Sequence, residues 1–341
     1  MKTAHHRVFA AVHTADVGYV RRAVVELGRR LGFSEDDVGK AAIVATELGT
    51  NLVKHTTGGG DILVRPLIGE MPGGLELISV DQGPGIKNPG QALQNGYTTG
   101  TSPGIGLGAV RRLSQVFDIY TQVGKGTVVL SQVWSGGPRP GRARAFQIGA
   151  VMVPYPGLDV CGDGWGMTCV DSAVQVLIVD GVGHGPPAAE ACLAALQAYI
   201  THAHSPLPEL MQLEHEALRD TRGAVLAVGR IERELRKVHY VGFGDISGRV
   251  VSSGASLSCV SKTGIVGAKI PSPHVYTYEW DPTSLLIMHS DGLTSRWDVS
   301  AYPGLDARHP TVIAAVLYRD HKRGNDDVTV VAIREGSGVH A

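Results

Sequence analysis

Apolar residues in the first part of the chain recur at helical spacing and then at strand spacing. The helical spacing predicts helices at residues 16–31 and 34–55, with Ser34 capping the second helix and Asp37 completing a capping-box-like start. A third helix is predicted from about Ala109. Strands are predicted at residues 7–13, 61–68, 75–80, 117–123 and 127–134. These elements predict a helical layer over a mostly antiparallel sheet.

The second part of the chain is richer in strand patterns. Strands are predicted at residues 145–153, 167–170, 174–179, 225–231, 237–242, 275–278, 285–289 and 328–333. Helices are predicted at residues 187–202, 207–219 and 311–319. Strands with segregated helices indicate an α+β sandwich.

A segment of different composition separates the two parts. Residues 135–144 read SGGPRPGRAR, where Gly, Pro and Arg replace the apolar alternation. We therefore predict two domains, residues 1–134 and 146–336, joined by a linker at residues 135–145. A long surface loop inside one domain is the alternative, but the length of 341 residues favours two domains.

Composition excludes several classes of protein. Hydrophobic residues make up 43% and charged residues 18%, which excludes a chain that is disordered throughout. The formal net charge of -1 provides no basic field, so nucleic acid is not expected as a partner. The four cysteines form no C-x-x-C pair, and there is no apolar signal segment or membrane-spanning run. We expect a cytoplasmic protein without a zinc site, a disulfide framework or a membrane partner.

One constellation of polar residues and glycines has the chemistry of a nucleotide site. Glu47 and Asn51 are four residues apart on a predicted helix, so they share one face, although a solvated face is the simpler interpretation of these two alone. A glycine-rich sequence later in the chain favours a nucleotide site over a solvated face, because glycines let backbone amides approach phosphate oxygens. A dinucleotide-binding loop is excluded by the glycine spacing and by the absence of a first strand before it. This glycine-rich sequence comprises two segments, Asp81-Gln82-Gly83-Pro84-Gly85 and Gly104-Ile105-Gly106-Leu107-Gly108.

In their order along the chain, these motifs resemble the GHKL ATPase superfamily. The segments ATEL, DQGPGI, ALQNGYTTG and GKGTVV are similar to the RsbT type of serine/threonine switch kinase. The resemblance implies an N-terminal GHKL (Bergerat) α/β sandwich that binds ATP and Mg²⁺. Glu47 would be the catalytic base, Asn51 a Mg²⁺ ligand, Asp81 the adenine reader and Thr127 a further adenine contact.

The same resemblance implies a wider nucleotide site and a class of substrate. The loop at residues 100–108 would cover the phosphates. The substrate would be a Ser or Thr on a STAS-domain antagonist, with a sigma factor or a downstream phosphatase as a further partner. A histidine kinase is not expected, because only 46 residues precede Glu47. The predicted cofactor-binding residues are Asn51, Asp81, Gly83, Gly85, Gly104, Gly106, Leu107, Gly108 and Thr127.

A second constellation consists of acids at predicted strand ends. Asp163, Asp180, Asp291 and Asp326 each flank such an end, without a Cys or His framework nearby. Oxygen ligands of this kind suit Mg²⁺ or Mn²⁺. Two such ions about 3.5 to 4 Å apart can hold a hydroxide for attack on a phosphate. Any single Asp-Gly pair is more simply a turn, but the ordered set favours a metal site.

The order of these acids resembles the PPM, or protein phosphatase type 2C, family in its SpoIIE and RsbX branch. The resemblance implies a C-terminal PPM-type αββα sandwich. Asp180 would bridge both metals and serve the catalysis, the Gly181 carbonyl and Asp163 would support the first metal, and Asp291 and Asp326 would hold the second.

Some positions in this second site stay open. Larger members of the branch carry a further acid where this chain has Gly166, and Asp327 is the alternative to Asp326 as a ligand. His184 is either a solvated turn residue or a donor to phosphate.

The sequence therefore predicts an α+β protein of two domains, a fusion of a switch kinase with its opposing phosphatase. Such an enzyme would phosphorylate and dephosphorylate Ser/Thr on antagonist proteins that control a sigma factor or a stress output. We expect regulation by nucleotide state or by docking. The alternative is a metal-dependent phosphatase whose ATP-binding domain is a non-catalytic adaptor or an anti-sigma binding module.

Overall fold

A computed structural model describes residues 4–67, 73–93, 106–136, 145–170, 172–252 and 255–336. The helices are α1 (Thr14–Arg30), α2 (Glu35–His55), α3 (Pro89–Ala92), α4 (Gly106–Leu113), α5 (Pro186–His202), α6 (Leu207–Ala217) and α7 (Pro310–His321). The strands of the first part are β1 (Arg7–Ala11), β2 (Gly60–Leu67), β3 (Gly74–Val80), β4 (Val116–Gln122) and β5 (Gly126–Trp134). Those of the second part are β6 (Phe146–Val153), β7 (Asp163–Val170), β8 (Ala173–Gly181), β9 (Ala224–Glu232), β10 (Lys237–Phe243), β11 (Ser247–Ser252), β12 (Ala255–Ser258), β13 (Tyr276–Glu279), β14 (Leu285–His289) and β15 (Val328–Glu335).

The strands form three five-stranded antiparallel sheets. The first sheet has the order β1-β2-β3-β5-β4, and helices α1, α2 and α4 cover one of its faces. The second, β13-β10-β9-β8-β7, packs face to face on the third, β12-β11-β14-β15-β6. Helices α5 and α6 cover the outer face of the second sheet, and α7 covers the third. The predicted α+β class and the antiparallel first sheet are confirmed.

Helix α7 lies between two sheets. It packs on β6 and β15 of the third sheet and also on β3, β4 and β5 of the first. Leu63, Ile78 and Leu130 from the first sheet share one apolar cluster with Val151 and Val330 from the third. Every residue of α7 from Pro310 to Arg319 is buried, as expected for a helix with apolar neighbours on all sides. The two parts of the chain are thus packed together through α7, beyond any connection by the linker.

A glycine permits the close approach of α7 to β6. A Cβ placed on Gly149 would lie 1.9 Å from the backbone nitrogen of Thr311. Gly149→Ala is therefore expected to lower the free energy of unfolding by about 1–3 kcal/mol, because backbone and helix must move apart. Urea denaturation followed by circular dichroism measures this. Gly39→Ala is the control, since no atom of the described residues lies within 4 Å of a Cβ there and α2 gains a better helix former. Equal stabilities of the two variants would contradict the prediction.

A buried polar cluster lies beside α7. Glu76 on β3 accepts hydrogen bonds from Arg65 Nε at 2.7 Å and from Gln132 Nε2 at 2.7 Å, and His6 Nε2 lies 3.3 Å from it. Thr311 Oγ1 of α7 approaches the same carboxylate at 3.5 Å. Burial alone would raise the pKa of Glu76, but the Arg65 charge and the bonds from His6 and Gln132 hold it at about 2. Glu76 is therefore ionised at the junction of the two parts.

Most predicted elements occur within a few residues of their predicted bounds. Ser34 caps α2 as predicted, because its side chain accepts a hydrogen bond from the Asp37 N–H. Two corrections concern the second part: β7 begins four residues earlier than predicted, and β11 and β12 were not predicted. Strand β12 is exposed throughout, so apolar alternation gave no signal for it. Most of the predicted linker, residues 137–144, lies outside the described residues.

Candidate nucleotide and metal sites

Asp81 follows β3 and lies against the start of β5. Its Oδ1 accepts hydrogen bonds from the backbone N–H groups of Gly83, at 2.8 Å, and of Thr127, at 3.3 Å. The Asp81 N–H donates in turn to the Thr127 carbonyl at 3.0 Å. The fold therefore places Asp81 and Thr127, which the sequence predicted as adenine contacts, side by side.

The Asp81 carboxylate has one oxygen left for a ligand. Burial raises its pKa, although the N–H groups of Gly83 and Thr127 oppose that shift. Both of these bonds use Oδ1, and Oδ2 has no hydrogen bond with the described residues. A carboxylate oxygen in that position can accept a hydrogen bond from the amino group of a purine.

Two glycines shape the surroundings of Asp81. Gly85 has φ +69°, and a Cβ there would lie 2.3 Å from the Gln122 carbonyl oxygen. Gly126 has φ +93°, and a Cβ there would lie 2.0 Å from the Asp81 carbonyl oxygen. They let the β4–β5 hairpin pack on the loop after β3. These described contacts are with the chain's own backbone, so a role of Gly85 toward phosphates stays a prediction.

Helix α4 begins at Gly106, directly after a segment that lies outside the described residues. No atom of the described residues lies within 4 Å of a Cβ placed on Gly106, whereas Leu107 and Gly108 are buried. Gly104 and most of the predicted phosphate loop lie outside the described residues. The first turn suits an anionic ligand in its chemistry, because the N–H groups at a helix start have no partners within the helix.

Glu47 and Asn51 lie one turn apart on α2, as predicted. Asn51 Nδ2 is buried and has no hydrogen-bond partner within the described ranges, so it fits an acceptor such as a nucleotide oxygen. Burial raises the pKa of Glu47, and the charge of Lys54 opposes this. Glu47 also lines a shallow groove of about 350 Å³ with Arg21, Ile43 and Thr46. Among the described residues, no hydrogen bond joins Glu47 or Asn51 to Asp81.

The acids of the second constellation come together where strands of the two packed sheets end. Asp163 opens β7 and is paired in register with Asp180 near the end of β8. Asp163 Oδ2 accepts a 2.6 Å hydrogen bond from Ser290 Oγ, which directly precedes Asp291. The Ser290 hydroxyl also accepts from the Thr329 N–H, two residues after Asp327. Ser290 therefore links β7 of the second sheet to β15 of the third by hydrogen bonds at the acidic cluster.

Asp326 and Asp327 have different environments. Asp327 is 3% exposed, and its Oδ1 accepts a 2.8 Å hydrogen bond from the Tyr155 N–H. Asp327 Oδ2 and Asp163 Oδ1 are buried and lack partners among the described residues. A Cβ on Gly162 would lie 2.9 Å from Asp327 Oδ2, so glycine leaves room for this oxygen. Asp326 is more exposed and accepts only the N–H of Asp327 in the described structure.

The acids of this cluster raise one another's pKa values. Burial, and after it the charges of Asp163, Asp291 and Asp326, raises the pKa of Asp180 to about 10. Burial is also the largest cause that raises the pKa of Asp163 to about 8. The pKa values of Asp291 and Asp326 are raised as well, mainly by burial. Such a cluster holds its full charge at neutral pH only with cations present.

The donor set fits a divalent cation, although the geometry is not closed. Within the described ranges, no three His, Cys, Asp or Glu side chains converge closely enough to hold an ion as they stand. Asp163 Oδ1 and Asp327 Oδ2 nevertheless have no partner among the described residues, and hard cations take oxygen ligands of this kind. A bound cation would also relieve the repulsion between the carboxylates of the cluster. Gly181 ends β8 directly against α5, since a Cβ there would lie 2.2 Å from the Ala188 carbonyl oxygen.

Sequence reasoning missed Asp245. It follows β10, and its charge raises the pKa values of Asp180 and Asp291. The available signal was an acid directly after a strand, as for the other acids. His184, left open by the sequence, stacks on Tyr155 with ring centroids 4.5 Å apart and planes at 25°.

Two family models match the chain. The model described as a histidine kinase-like ATPase domain matches residues 10–132, and that of stage II sporulation protein E (SpoIIE) matches residues 171–335. The serine/threonine-protein kinase RsbT of Bacillus subtilis (strain 168) is 29% identical over 119 residues, covering 35% of this chain and 89% of RsbT. The phosphoserine phosphatase RsbX of the same organism is 26% identical over 138 residues, covering 40% of this chain and 69% of RsbX.

Two solved structures resemble a little more than half of the chain. A protein from a study of the bacterial stressosome is 26% identical, covers 55% of this chain and 99% of its own, and has a TM-score of 0.52. The crystal structure of RsbX in complex with magnesium covers 56% of this chain and 96% of its own, with a TM-score of 0.50. At 21% identity, this similarity shows the fold alone.

None of the helices in the described ranges is long and apolar enough to pass through a membrane. The chain thus combines a region that matches the histidine kinase-like ATPase domain with a region that matches SpoIIE, and RsbT and RsbX are among the proteins to which it is similar.

Proposed function

We propose that this protein is a bifunctional partner-switching enzyme of the cytoplasm. It binds ATP and phosphorylates Ser or Thr on a STAS-domain antagonist, and a site for Mg²⁺ or Mn²⁺ removes the same phosphate. The observation that supports it best is that one chain carries both Asp81 beside Thr127 and the acidic cluster around Asp180. The relatives RsbT and RsbX, a kinase and a phosphatase, support the pairing of opposed activities. The four free cysteines suit a reducing compartment.

The phosphatase half is proposed to act through its carboxylates. Asp180 and Asp163, with the Gly181 carbonyl, would hold a first cation, and Asp291 and Asp326 would hold a second. Such cations would supply a hydroxide nucleophile and neutralise charge on the phosphate. Asp327 stays the alternative to Asp326, since its Oδ2 is buried and has no partner among the described residues. Its Oδ1 accepts the Tyr155 N–H and so fixes the loop at Tyr155 next to the cluster.

The kinase half is proposed to use α2 and the loop after β3. Asp81 accepts a hydrogen bond from the adenine amino group, and Thr127 fixes the orientation of Asp81. Glu47, whose pKa burial raises, takes the proton of the substrate hydroxyl as general base. Asn51 would ligate Mg²⁺ through its amide oxygen, while its Nδ2, which is buried and has no partner among the described residues, would donate to a nucleotide oxygen.

A second candidate function is a phosphatase governed by an ATP-binding adaptor. The observation that favours it is α7, whose Arg319 Nη1 approaches the Asp81 carbonyl oxygen at 3.4 Å, while Gln82 Nε2 approaches the Arg319 carbonyl oxygen at 3.5 Å. Asp326 follows α7 by only a few residues. Nucleotide at Asp81 could then alter the phosphatase site without any phosphate transfer.

A time course separates the two functions. Purified protein is mixed with candidate STAS-domain partners, ATP and Mn²⁺, and phosphoserine and phosphothreonine are followed beside Glu47→Ala and Asp180→Asn variants. Phosphate that forms only with Glu47 intact, and disappears only with Asp180 intact, supports the bifunctional enzyme. Removal without formation supports the adaptor. Neither activity with any partner contradicts both functions.

Asp81→Asn is expected to weaken ATP binding at least about tenfold, because the amide replaces an acceptor oxygen with a donor group facing the adenine amino group. Fluorescent-nucleotide displacement measures this. Asp36→Asn is the control, since Asp36 is exposed and pairs only with Lys40 in the described structure. Equal ATP affinity of the Asp81 variant and the control would remove Asp81 from the nucleotide site.

A further inference from the structure

Two exposed arginines flank the acidic cluster, and neither makes a side-chain hydrogen bond or ion pair with the residues that the structure describes. Arg222 lies on the loop before β9, and a Cβ placed on Gly183 would be 3.4 Å from its Nη1. The Val182 N–H donates to the Gly223 carbonyl at 3.0 Å, which fixes that loop against the turn after Asp180. Arg222 is therefore held at the edge of the cluster by backbone geometry.

Arg323 approaches the cluster from the opposite part of the fold. Its backbone N–H donates to the Gly292 carbonyl at 2.9 Å, next to Asp291. A Cβ on Gly292 would lie 1.9 Å from the Asp327 carbonyl oxygen, so this turn is pressed against the acids. Arg323 also precedes Asp326 by three residues, so its backbone lies at the edge of the cluster beside both Asp291 and Asp326.

The chemistry of the cluster indicates why positively charged arginine side chains lie at its edge. Fixed positive charges oppose the binding of divalent cations, so they bring no advantage to the metal itself. A phosphate monoester, by contrast, presents oxygens that bound metals do not fully neutralise. A guanidinium offers paired N–H donors in the geometry that phosphate oxygens accept. An arginine without a carboxylate partner has these donors available.

We propose that Arg222, assisted by Arg323, binds the phosphoryl oxygens of the substrate and of the product phosphate at the metal site. This inference rests on the proposed phosphatase activity and adds the residues that recognise the phosphate. Arg222 is the principal contact, because it adjoins the turn that carries Asp180. Arg323 adjoins Asp291 and Asp326 and completes the anion site from the other side.

Inorganic phosphate is the probe for the test. Its inhibition constant against Mn²⁺-dependent hydrolysis of p-nitrophenyl phosphate is measured for the wild-type protein, Arg222→Ala, Arg222→Lys and Arg323→Ala. Calorimetric titration of phosphate into the Mn²⁺-loaded proteins supplies a readout that needs no turnover. Arg219→Ala is the matched control, since Arg219 is an exposed arginine three residues earlier on the same loop.

Arg222→Ala is expected to weaken phosphate binding and raise KM for p-nitrophenyl phosphate about tenfold, the order of effect of a charge-assisted hydrogen bond. The Mn²⁺ concentration for half-maximal activity should not rise. Arg222→Lys should recover only part of the affinity, because an ammonium lacks the paired donors. Arg323→Ala should act in the same direction, and its combination with Arg222→Ala should be non-additive if both bind one phosphate.

Phosphate affinity of Arg222→Ala equal to that of Arg219→Ala would overturn the inference. A wild-type protein that hydrolyses nothing with Mn²⁺ would instead contradict the phosphatase function, and the calorimetric comparison would still decide the role of Arg222. A wild-type protein that binds no phosphate would overturn the inference as well.

Discussion

Asp180→Asn is expected to lower metal-dependent hydrolysis of phosphate esters at least about a hundredfold and to leave ATP binding unchanged. Asp180 is paired with Asp163 across β7 and β8, and its pKa is raised by Asp163, Asp291 and Asp326. An amide at this position cannot take the ionised form that a bound cation would stabilise. Mn²⁺-dependent release of p-nitrophenol measures the loss, and nucleotide titration measures the retained function.

The control for this prediction is Asp281→Asn. Asp281 is exposed, and its side chain has no partner among the described residues. Binding of Mn²⁺, followed as a shift of the melting temperature, should weaken in Asp180→Asn and persist in the control. If Asp180→Asn kept the activity of the control, the assignment of the metal site to this cluster would be wrong.

The second large effect is expected from Glu76→Gln, which should lower the free energy of unfolding by about 3–5 kcal/mol. Glu76 is fully buried and receives hydrogen bonds from Arg65 and Gln132. An amide would leave the Arg65 charge buried without a counter-charge. Because Thr311 of α7 borders this cluster, the loss should also loosen the packing between the two parts of the chain.

Urea denaturation of Glu76→Gln and of Glu35→Gln provides the comparison. Glu35 pairs with Arg29 at 3.1 Å, but both side chains are exposed, so solvent screens the pair and little stability should be lost. Similar midpoints for the two variants would show that the Arg65 charge is not buried in the folded protein. A second unfolding step in Glu76→Gln alone would indicate that the two parts had separated.

Local patterns were sufficient for most of the secondary structure. Ser34 and Asp37 predicted the start of α2 because a cap acts within one turn, and β14 occupies the predicted residues because alternation is a local property. Strand β12 was missed because it is exposed and carries no apolar alternation. Helix α7 was predicted as an element, but its position between two sheets was not.

By itself, the sequence determined which residues have the chemistry of each site: the spacing of Glu47 and Asn51, the glycines after Asp81, and the acids at strand ends. Tertiary structure alone decided which of these meet. It paired Asp81 with Thr127, tied Asp163 to Ser290 and added Asp245, because such contacts depend on sheet order and register. It also decided that α7 joins the two parts, because burial of a helix on both sides requires two surfaces that no local pattern describes.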